Sequence, residues 1–149
     1  MNRAMNVLVL CARNSARSQM TEAFLRAHGG DRFAVYSAGL EAAGIHPLTH
    51  QVMEEVGLPL TGHRSKEARE FLGKLPVHHL IVVCERTEPE CPKLFPGAAR
   101  QHSWPFDDPV EVEGSLETRL MAFRSVRDAI QRRVREWLRS SETEIAGVR

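Results

Sequence analysis

The chain has 149 residues, of which 42% are hydrophobic and 26% are charged, and its formal net charge at pH 7 is +1. These values fit one domain over residues 1–149 and exclude a global charge that would attract nucleic acid or a membrane surface. No apolar run approaches the ~20 residues that cross a bilayer. The apolar stretch after Met5 is short, so we expect no signal peptide and a cytoplasmic protein.

Four segments are predicted as strands, and they alternate with helical patterns. The strands are predicted at Asn6–Leu10, Phe33–Ala38, His78–Cys84 and Arg100–Trp104. The helices are predicted at Ser18–His28, Pro47–Val56, Ser65–Leu72 (capped by Ser65) and Ser115–Arg139. Residues 140–149 are expected to form a frayed tail. The alternation predicts an α/β fold with a doubly wound, four-stranded parallel sheet and helices on both faces.

The most informative stretch is a polar loop that begins with Cys11, directly after the first strand, and ends where Arg17 and Ser18 start a helical pattern. Such a loop points backbone N–H groups and the first helical turn at one spot, which binds a tetrahedral oxyanion. The same field stabilises a thiolate at Cys11, and Arg17 can grip two oxygens of the anion. A buried structural cysteine is the alternative. We predict Cys11 as the nucleophile, and the substrate-binding residues are predicted to be Ala12, Arg13, Asn14, Ser15, Ala16, Arg17 and Ser18.

Two further cysteines, Cys84 and Cys91, enclose a polar segment that contains a proline. Ligand crevices of open α/β sheets lie at the carboxyl ends of the strands, so Cys11 and Cys84 are expected on the same rim. Three cysteines without an export signal indicate reactive or buried thiols rather than a disulfide scaffold. Two interpretations stay open: three thiols that pass two electrons toward the surface, or two structural thiols that never meet Cys11.

A pair of adjacent carboxylates, Asp107 and Asp108, lies in the segment that follows the fourth predicted strand. Displacement at a tetrahedral oxyanion needs a proton for the departing oxygen, and a carboxylic acid on a nearby loop can donate it. A turn without a catalytic role is the alternative.

His46 and His50 have a spacing that zinc sites use, but no third ligand clusters with them, so we predict no metal site.

Residues 5–22 resemble the start of the low-molecular-weight tyrosine phosphatase superfamily, and Cys84 and Cys91 resemble the resolving cysteines of its thioredoxin-coupled arsenate reductases. The resemblance implies a flavodoxin-like fold, no bound cofactor, and thioredoxin as electron donor and partner. It implies that Cys11 attacks arsenate and that Cys84 then attacks Cys11, which releases arsenite. Cys91 would next form a disulfide with Cys84 on a looped-out segment that thioredoxin can reach. Phosphate and sulfate are expected to compete with arsenate.

The family pattern of Asp followed by Pro selects Asp108 as the acid, and Asp107 is expected to orient the loop.

Two positions depart from the family. Ala16 stands where many arsenate reductases have a further cysteine, which the implied relay does not use. Some members bind a potassium ion at positions that match Asn14, Glu22, Ser37 and Lys66, the last being acidic there. We expect the Lys66 ammonium to take the ion's place, so that the protein requires no potassium.

Two other functions stay open beside a cytoplasmic, thioredoxin-coupled arsenate reductase. A phosphatase would use Cys11, Arg17 and Asp108 without a redox step. Tyrosine phosphatases of this superfamily carry aromatic residues after the position of Pro109, where this chain has Val110, which favours a small inorganic oxyanion. A module that holds phosphate or arsenate without turnover would be indicated by a Cys11 that resists alkylation at neutral pH.

Overall fold

The computed structural model describes residues 4–85, 88–92 and 95–147, with side chains described through residue 140. Within these residues one sheet has four parallel strands: β1 (Met5–Cys11), β2 (Phe33–Gly39), β3 (His79–Val82) and β4 (Arg100–Ser103). Their spatial order is β2-β1-β3-β4. The helices are α1 (Arg17–Gly29), α2 (Pro47–Glu55) and α3 (Leu116–Gly147), with 3₁₀ turns at Gly30–Arg32, Ala68–Glu70 and Pro109–Glu111. The predicted four-stranded parallel α/β fold is confirmed.

Strand β1 lies inside the sheet and is covered on both faces. Residues 7–10 are 0–1% exposed, although successive side chains of a strand point to opposite faces. Burial on both faces explains why the strand is apolar without interruption. The register pairs Leu10 with Ala38 of β2 and with Val82 of β3, so the carboxyl ends of the strands meet at one edge. The loop at residues 12–16, here called the Cys11 loop, and the residues after β3 therefore lie side by side.

Helix α3 packs against α1 and α2 and closes the core. Its buried apolar residues recur at helical spacing and are Leu120, Phe123, Val126, Ile130, Val134, Trp137 and Leu138. Glu55 at the end of α2 pairs with Arg124 and Arg127 of α3, at 2.7 and 2.8 Å. No helix in the described part of the chain combines the length and the apolar composition needed to cross a membrane.

The predicted helix over Ser65–Leu72 is wrong. Only a 3₁₀ turn at Ala68–Glu70 forms, and Glu67 rather than Ser65 is the residue at its N-cap. The Ser65 hydroxyl instead donates to the carbonyl of Arg13 in the Cys11 loop, at 3.3 Å.

The backbone of Lys66 explains why this helix does not form. Its N–H donates to Asn14 Oδ1 at 2.8 Å, and its carbonyl accepts from the N–H of Gly39 at 2.9 Å. Backbone groups used by neighbouring segments cannot also make the i→i−4 bonds of a helix. The segment is therefore extended because it supports the Cys11 loop.

The predicted end of α3 at Arg139 is also wrong, because the helix continues to Gly147. Most of the expected frayed tail therefore has helical backbone, and residues 148–149 lie outside the described residues. Residues 140–146 are mostly polar but contain no Pro or Gly. Polar composition alone does not interrupt helical hydrogen bonds.

Candidate active site

The Cys11 loop joins the end of β1 to the start of α1 and comprises residues 12–16. The chain turns at Asn14, where φ is +52°, the left-handed region that Asn tolerates better than most residues. The end of β2 approaches the loop closely. A Cβ on Gly39 would lie 2.7 Å from the backbone nitrogen of Asn14, so glycine is required for this contact.

Cys11 is a free, buried cysteine that is 3% exposed. Two groups lie within hydrogen-bond distance of its sulfur. The backbone N–H of Asn14 donates to Sγ at 3.3 Å, and Oγ of Ser18 lies 2.9 Å from Sγ. A thiolate is stabilised by donors of this kind, since they satisfy its negative charge inside a buried site. The surroundings of Cys11 therefore suit a nucleophile.

The side chain of Asn14 is fully buried and faces away from the pocket. Its Nδ2 donates to Ser18 Oγ at 2.8 Å and to Ser37 Oγ at 2.9 Å, and its Oδ1 accepts from Gln19 Nε2 and the N–H of Lys66, both at 2.8 Å. Asn14 and Ser18 thus brace the loop from inside. Sequence reasoning did not separate these two inward-facing side chains from the residues that form the pocket wall.

Arg17 is 4% exposed, and its guanidinium points to the mouth of the loop. It donates to both carboxylate oxygens of Glu88, at 2.7 and 2.8 Å, and to the carbonyl of Phe106 at 3.0 Å. Asp108 Oδ2 lies 3.4 Å from Nη2. Burial opposes the charge of Arg17, but the hydrogen bond to Glu88 and the charges of Asp108 and Cys11 raise its pKa above the usual value. A fixed, charged fork therefore stands beside Cys11.

Asp108 lies beside the guanidinium, at the start of the 3₁₀ turn Pro109–Glu111. Its Oδ1 accepts from the N–H of Val110 at 3.0 Å, which fixes the carboxyl group. Asp107 and Asp108 both line the pocket, and the contact with Arg17 distinguishes Asp108. A fixed carboxyl group next to the anion-binding donors is well placed to deliver a proton.

The loop opens into a pocket of about 730 Å³. The lining residues are Cys11, Ala12, Arg13, Ser15, Ala16, Arg17, Ala43, His46, Glu85, Glu88, Pro89, Glu90, Asp107, Asp108, Val110 and Glu111. None of these described residues is Phe, Tyr or Trp. Among the described lining residues, the only ring besides Pro89 is therefore the imidazole of His46.

Cys84 and Cys91 form a disulfide with a Cα–Cα distance of 5.8 Å. Cys84 follows β3, on the strand next to Cys11, but neither half of the disulfide lines the pocket. Both residues are buried, at 0% and 5% exposure. The expectation of a disulfide on an exposed, looped-out segment is therefore not met here, since both cysteines are buried and Glu88 between them accepts from Arg17.

The buried carboxylate of Glu22, one of the positions compared above with a potassium site, is surrounded by polar side chains. Ser37 Oγ donates to it at 2.5 Å, Arg26 pairs with it at 2.8 Å, and Lys66 Nζ lies 3.9 Å away. Burial lowers the pKa of Lys66, and Glu22 opposes this shift. Lys66 Nζ also donates to the carbonyl of Arg64 at 2.7 Å, which keeps the amine near Glu22.

His46 has a structural role that sequence reasoning missed. Its Nδ1 accepts from the N–H of Leu48 at 3.1 Å and so caps α2. Burial and the charge of Arg119 lower the pKa of His46, and Asp108 opposes them. In the described ranges, no three His, Cys, Asp or Glu side chains cluster as metal ligands would.

Comparison with known proteins agrees with this geometry. The family described as low molecular weight phosphotyrosine protein phosphatase matches residues 6–146. The chain belongs to this family. The arsenate reductase of Bacillus licheniformis is 34% identical over 139 residues, which cover 91% of this chain and 96% of the relative. Members of the family at this distance therefore include arsenate reductases, as the resemblance implied.

Solved structures share this architecture. An arsenate reductase in the phosphate binding state has a TM-score of 0.73 and 30% identity, over 91% of this chain and 98% of that chain. A thioredoxin-dependent arsenate reductase of Corynebacterium glutamicum has a TM-score of 0.69 at 24% identity, over 96% of this chain and 64% of that chain, and so shares the fold.

Glu88 is the residue of the site that sequence reasoning missed. The sequence assigns Glu88 only to a polar segment, although an acidic residue midway between Cys84 and Cys91 is a possible partner for Arg17. The signal is weak, because Glu85 and Glu90 lie in the same segment. Only the folded geometry selects Glu88 among the three.

Proposed function

We propose that this protein reduces arsenate to arsenite, with Cys11 as the nucleophile and Cys84 and Cys91 as a disulfide relay that thioredoxin reduces. The observation that carries the proposal is the combination of a free Cys11 at an anion-binding loop with a Cys84–Cys91 disulfide after the neighbouring strand. A hydrolase would need only the first of these. We place the cycle in the cytoplasm, where thioredoxin keeps thiols reduced.

In the first step, the Cys11 thiolate attacks the arsenic atom, and one oxygen leaves as water after it takes a proton from Asp108. The loop N–H groups and Arg17 hold the remaining oxygens as charge develops on them. The product is a covalent thiol–arsenic(V) adduct. Phosphate and sulfate are expected to compete, since they offer the same oxygens to the same donors.

In the second step, the Cys84 thiolate attacks Cys11 Sγ. The sulfur–arsenic bond breaks, its electron pair stays on arsenic, and arsenite leaves. The Cys11–Cys84 disulfide is then attacked by the Cys91 thiolate, which frees Cys11 and leaves the Cys84–Cys91 disulfide. A thioredoxin dithiol supplies two electrons and two protons to restore both thiols. Because this disulfide is buried, its reduction requires the segment around Glu88 to move outward.

The test counts arsenite formed by the prereduced protein without any donor. Cys91→Ser is expected to release one arsenite per chain and to stop as a Cys11–Cys84 disulfide. Cys84→Ser and Cys11→Ser are expected to release none. With thioredoxin, thioredoxin reductase and NADPH, only the unchanged protein should turn over continuously. Arsenite release by Cys84→Ser at the unchanged rate would contradict the relay. Continuous turnover with glutathione and glutaredoxin alone would identify them, rather than thioredoxin, as the electron donor.

A phosphatase without a redox step is the second candidate, because the family and the Cys11 loop fit it. The described pocket residues include no Phe, Tyr or Trp, which argues against an aryl phosphate as the natural substrate. Hydrolysis of p-nitrophenyl phosphate separates the two functions. Cys84→Ser and Cys91→Ser should retain any such hydrolysis while arsenate turnover disappears, whereas Cys11→Ser should lose both.

A further inference from the structure

The carboxylate of Glu88 occupies the donors that an oxyanion would use. Both of its oxygens accept from the guanidinium of Arg17, at 2.7 and 2.8 Å, in the two-pronged geometry typical of carboxylate and phosphate recognition. Oε2 also accepts from the N–H of Glu85 at 2.7 Å. The hydrogen bond with Arg17 lowers the pKa of Glu88 despite burial, so Glu88 is ionised at neutral pH. Arg17 cannot offer the same two N–H groups to a substrate at the same time.

The disulfide holds Glu88 in this place. Glu88 lies between Cys84 and Cys91, whose disulfide joins residues seven apart and so closes a small ring. The N–H of Cys91 donates to the carbonyl of Glu88 at 3.1 Å, which adds a turn inside the ring. Glu90 adds an exposed pair with Arg13 at 3.5 Å, whose contribution is small.

We propose that Glu88 is an internal competitor of the substrate, and that it blocks the oxyanion site when Cys84 and Cys91 are joined as a disulfide. Reduction of the disulfide opens the ring, frees the segment and exposes Arg17. Glu88 therefore links occupancy of the anion site to the redox state of cysteines that do not line it.

This link between Glu88 and the disulfide serves the proposed reduction of arsenate, and its benefit rests on that proposed function. In the disulfide state Cys84 has no thiolate. An arsenate that reached Cys11 would form a thiol–arsenic adduct that Cys84 could not resolve. A carboxylate on Arg17 prevents that unproductive reaction until both resolving thiols are available again.

The test measures binding of inorganic phosphate by calorimetry at pH 7.5, with the protein fully oxidised or fully reduced at Cys84 and Cys91. The oxidised protein is expected to bind phosphate roughly 10- to 100-fold more weakly than the reduced protein, which is the range of a charge-assisted hydrogen bond. Glu88→Gln should recover most of this difference in the oxidised state and change affinity little in the reduced state.

Glu90→Gln is the matched control, because it also removes one negative charge from the pocket wall, but from an exposed pair with Arg13 and not from the buried guanidinium of Arg17. Its phosphate affinity in the oxidised state is expected to stay within about threefold of the unchanged protein. An equal gain in Glu88→Gln and Glu90→Gln would reduce the effect to general repulsion and overturn the proposal. An equal gain of Glu88→Gln in both redox states would overturn the link to the disulfide.

Phosphate binding involves neither arsenate nor thioredoxin, so the role proposed for Glu88 and the proposed arsenate reduction can be refuted separately. Loss of the redox effect on phosphate binding with intact arsenate turnover would refute only the role of Glu88. A redox effect that depends on Glu88 in a protein that never releases arsenite would refute only the reductase. Urea unfolding of each variant shows whether it is folded before binding is measured.

Discussion

Replacement of Asn14 is the sharpest test of how the loop is held. Asn14→Ala removes four buried hydrogen bonds made by the side chain, to Ser18, Ser37, Gln19 and Lys66. A net hydrogen bond contributes about 1 kcal/mol, and some of the partners keep a second bond. Ser37 still donates to Glu22, for example. The side-chain part of the loss is therefore about 2–4 kcal/mol.

The backbone adds a second part, because φ at this position is +52°. Alanine in the left-handed region costs roughly 1–2 kcal/mol, whereas glycine adopts it readily. Asn14→Ala is therefore expected to lower the free energy of unfolding by about 3–6 kcal/mol. Asn14→Gly should lose roughly 1 kcal/mol less, since it shares the lost hydrogen bonds but not the strain.

Equilibrium unfolding in urea at pH 7.5, with the disulfide kept oxidised, measures both variants. Alkylation of Cys11 by iodoacetamide should change in rate as well, because the N–H of Asn14 then no longer has a fixed place near the sulfur. A loss below about 1 kcal/mol for Asn14→Ala would refute the view that these buried bonds support the loop. Equal stability of the alanine and glycine variants would refute the part assigned to φ.

Three further outcomes are expected. Gly39→Ala should destabilise the protein by about 2 kcal/mol or more in urea unfolding, because its Cβ meets rigid backbone atoms at 2.7 Å. The control Gly73→Ala should cost only about 1 kcal/mol, because Gly73 has a φ of +70° but open space around the position of a Cβ. Burial lowers the pKa of His46 in the folded protein, so as pH falls through about 6.5 the imidazole is protonated more readily in the unfolded chain, and the folded state loses stability. The variant His46→Asn still offers an acceptor to the N–H of Leu48 but does not titrate. It should therefore lose less stability than the unchanged protein between pH 7.5 and 5.5. Exchange of NaCl for KCl should leave the melting temperature unchanged, and Lys66→Asp should make it depend on potassium; a potassium effect in the unchanged protein would refute the replacement of the ion.

The strands, most helices and the Cys11 loop were predictable because their signals are local. An apolar run followed by a polar turn and a helical pattern specifies a strand, loop and helix within residues 5–29. The parallel arrangement then places the residues after β3 beside this loop, whatever the side chains are. The sequence by itself therefore determined the family, the sheet and the position of Cys11 at the end of the first strand.

Only the tertiary structure decided what surrounds Cys11 and Arg17. Glu88 meets Arg17 across 71 positions of sequence, and Lys66 meets Asn14 across 52. Neither pair follows from periodicity or composition, because each depends on how separate segments pack at the rim of the sheet. The contact of Lys66 with Asn14 also explains why the helix predicted at Ser65–Leu72 does not form, since backbone groups of this segment make hydrogen bonds to the Cys11 loop and to β2. Side-chain direction and long-range hydrogen bonds are properties of the packed chain, and they determine access to Arg17.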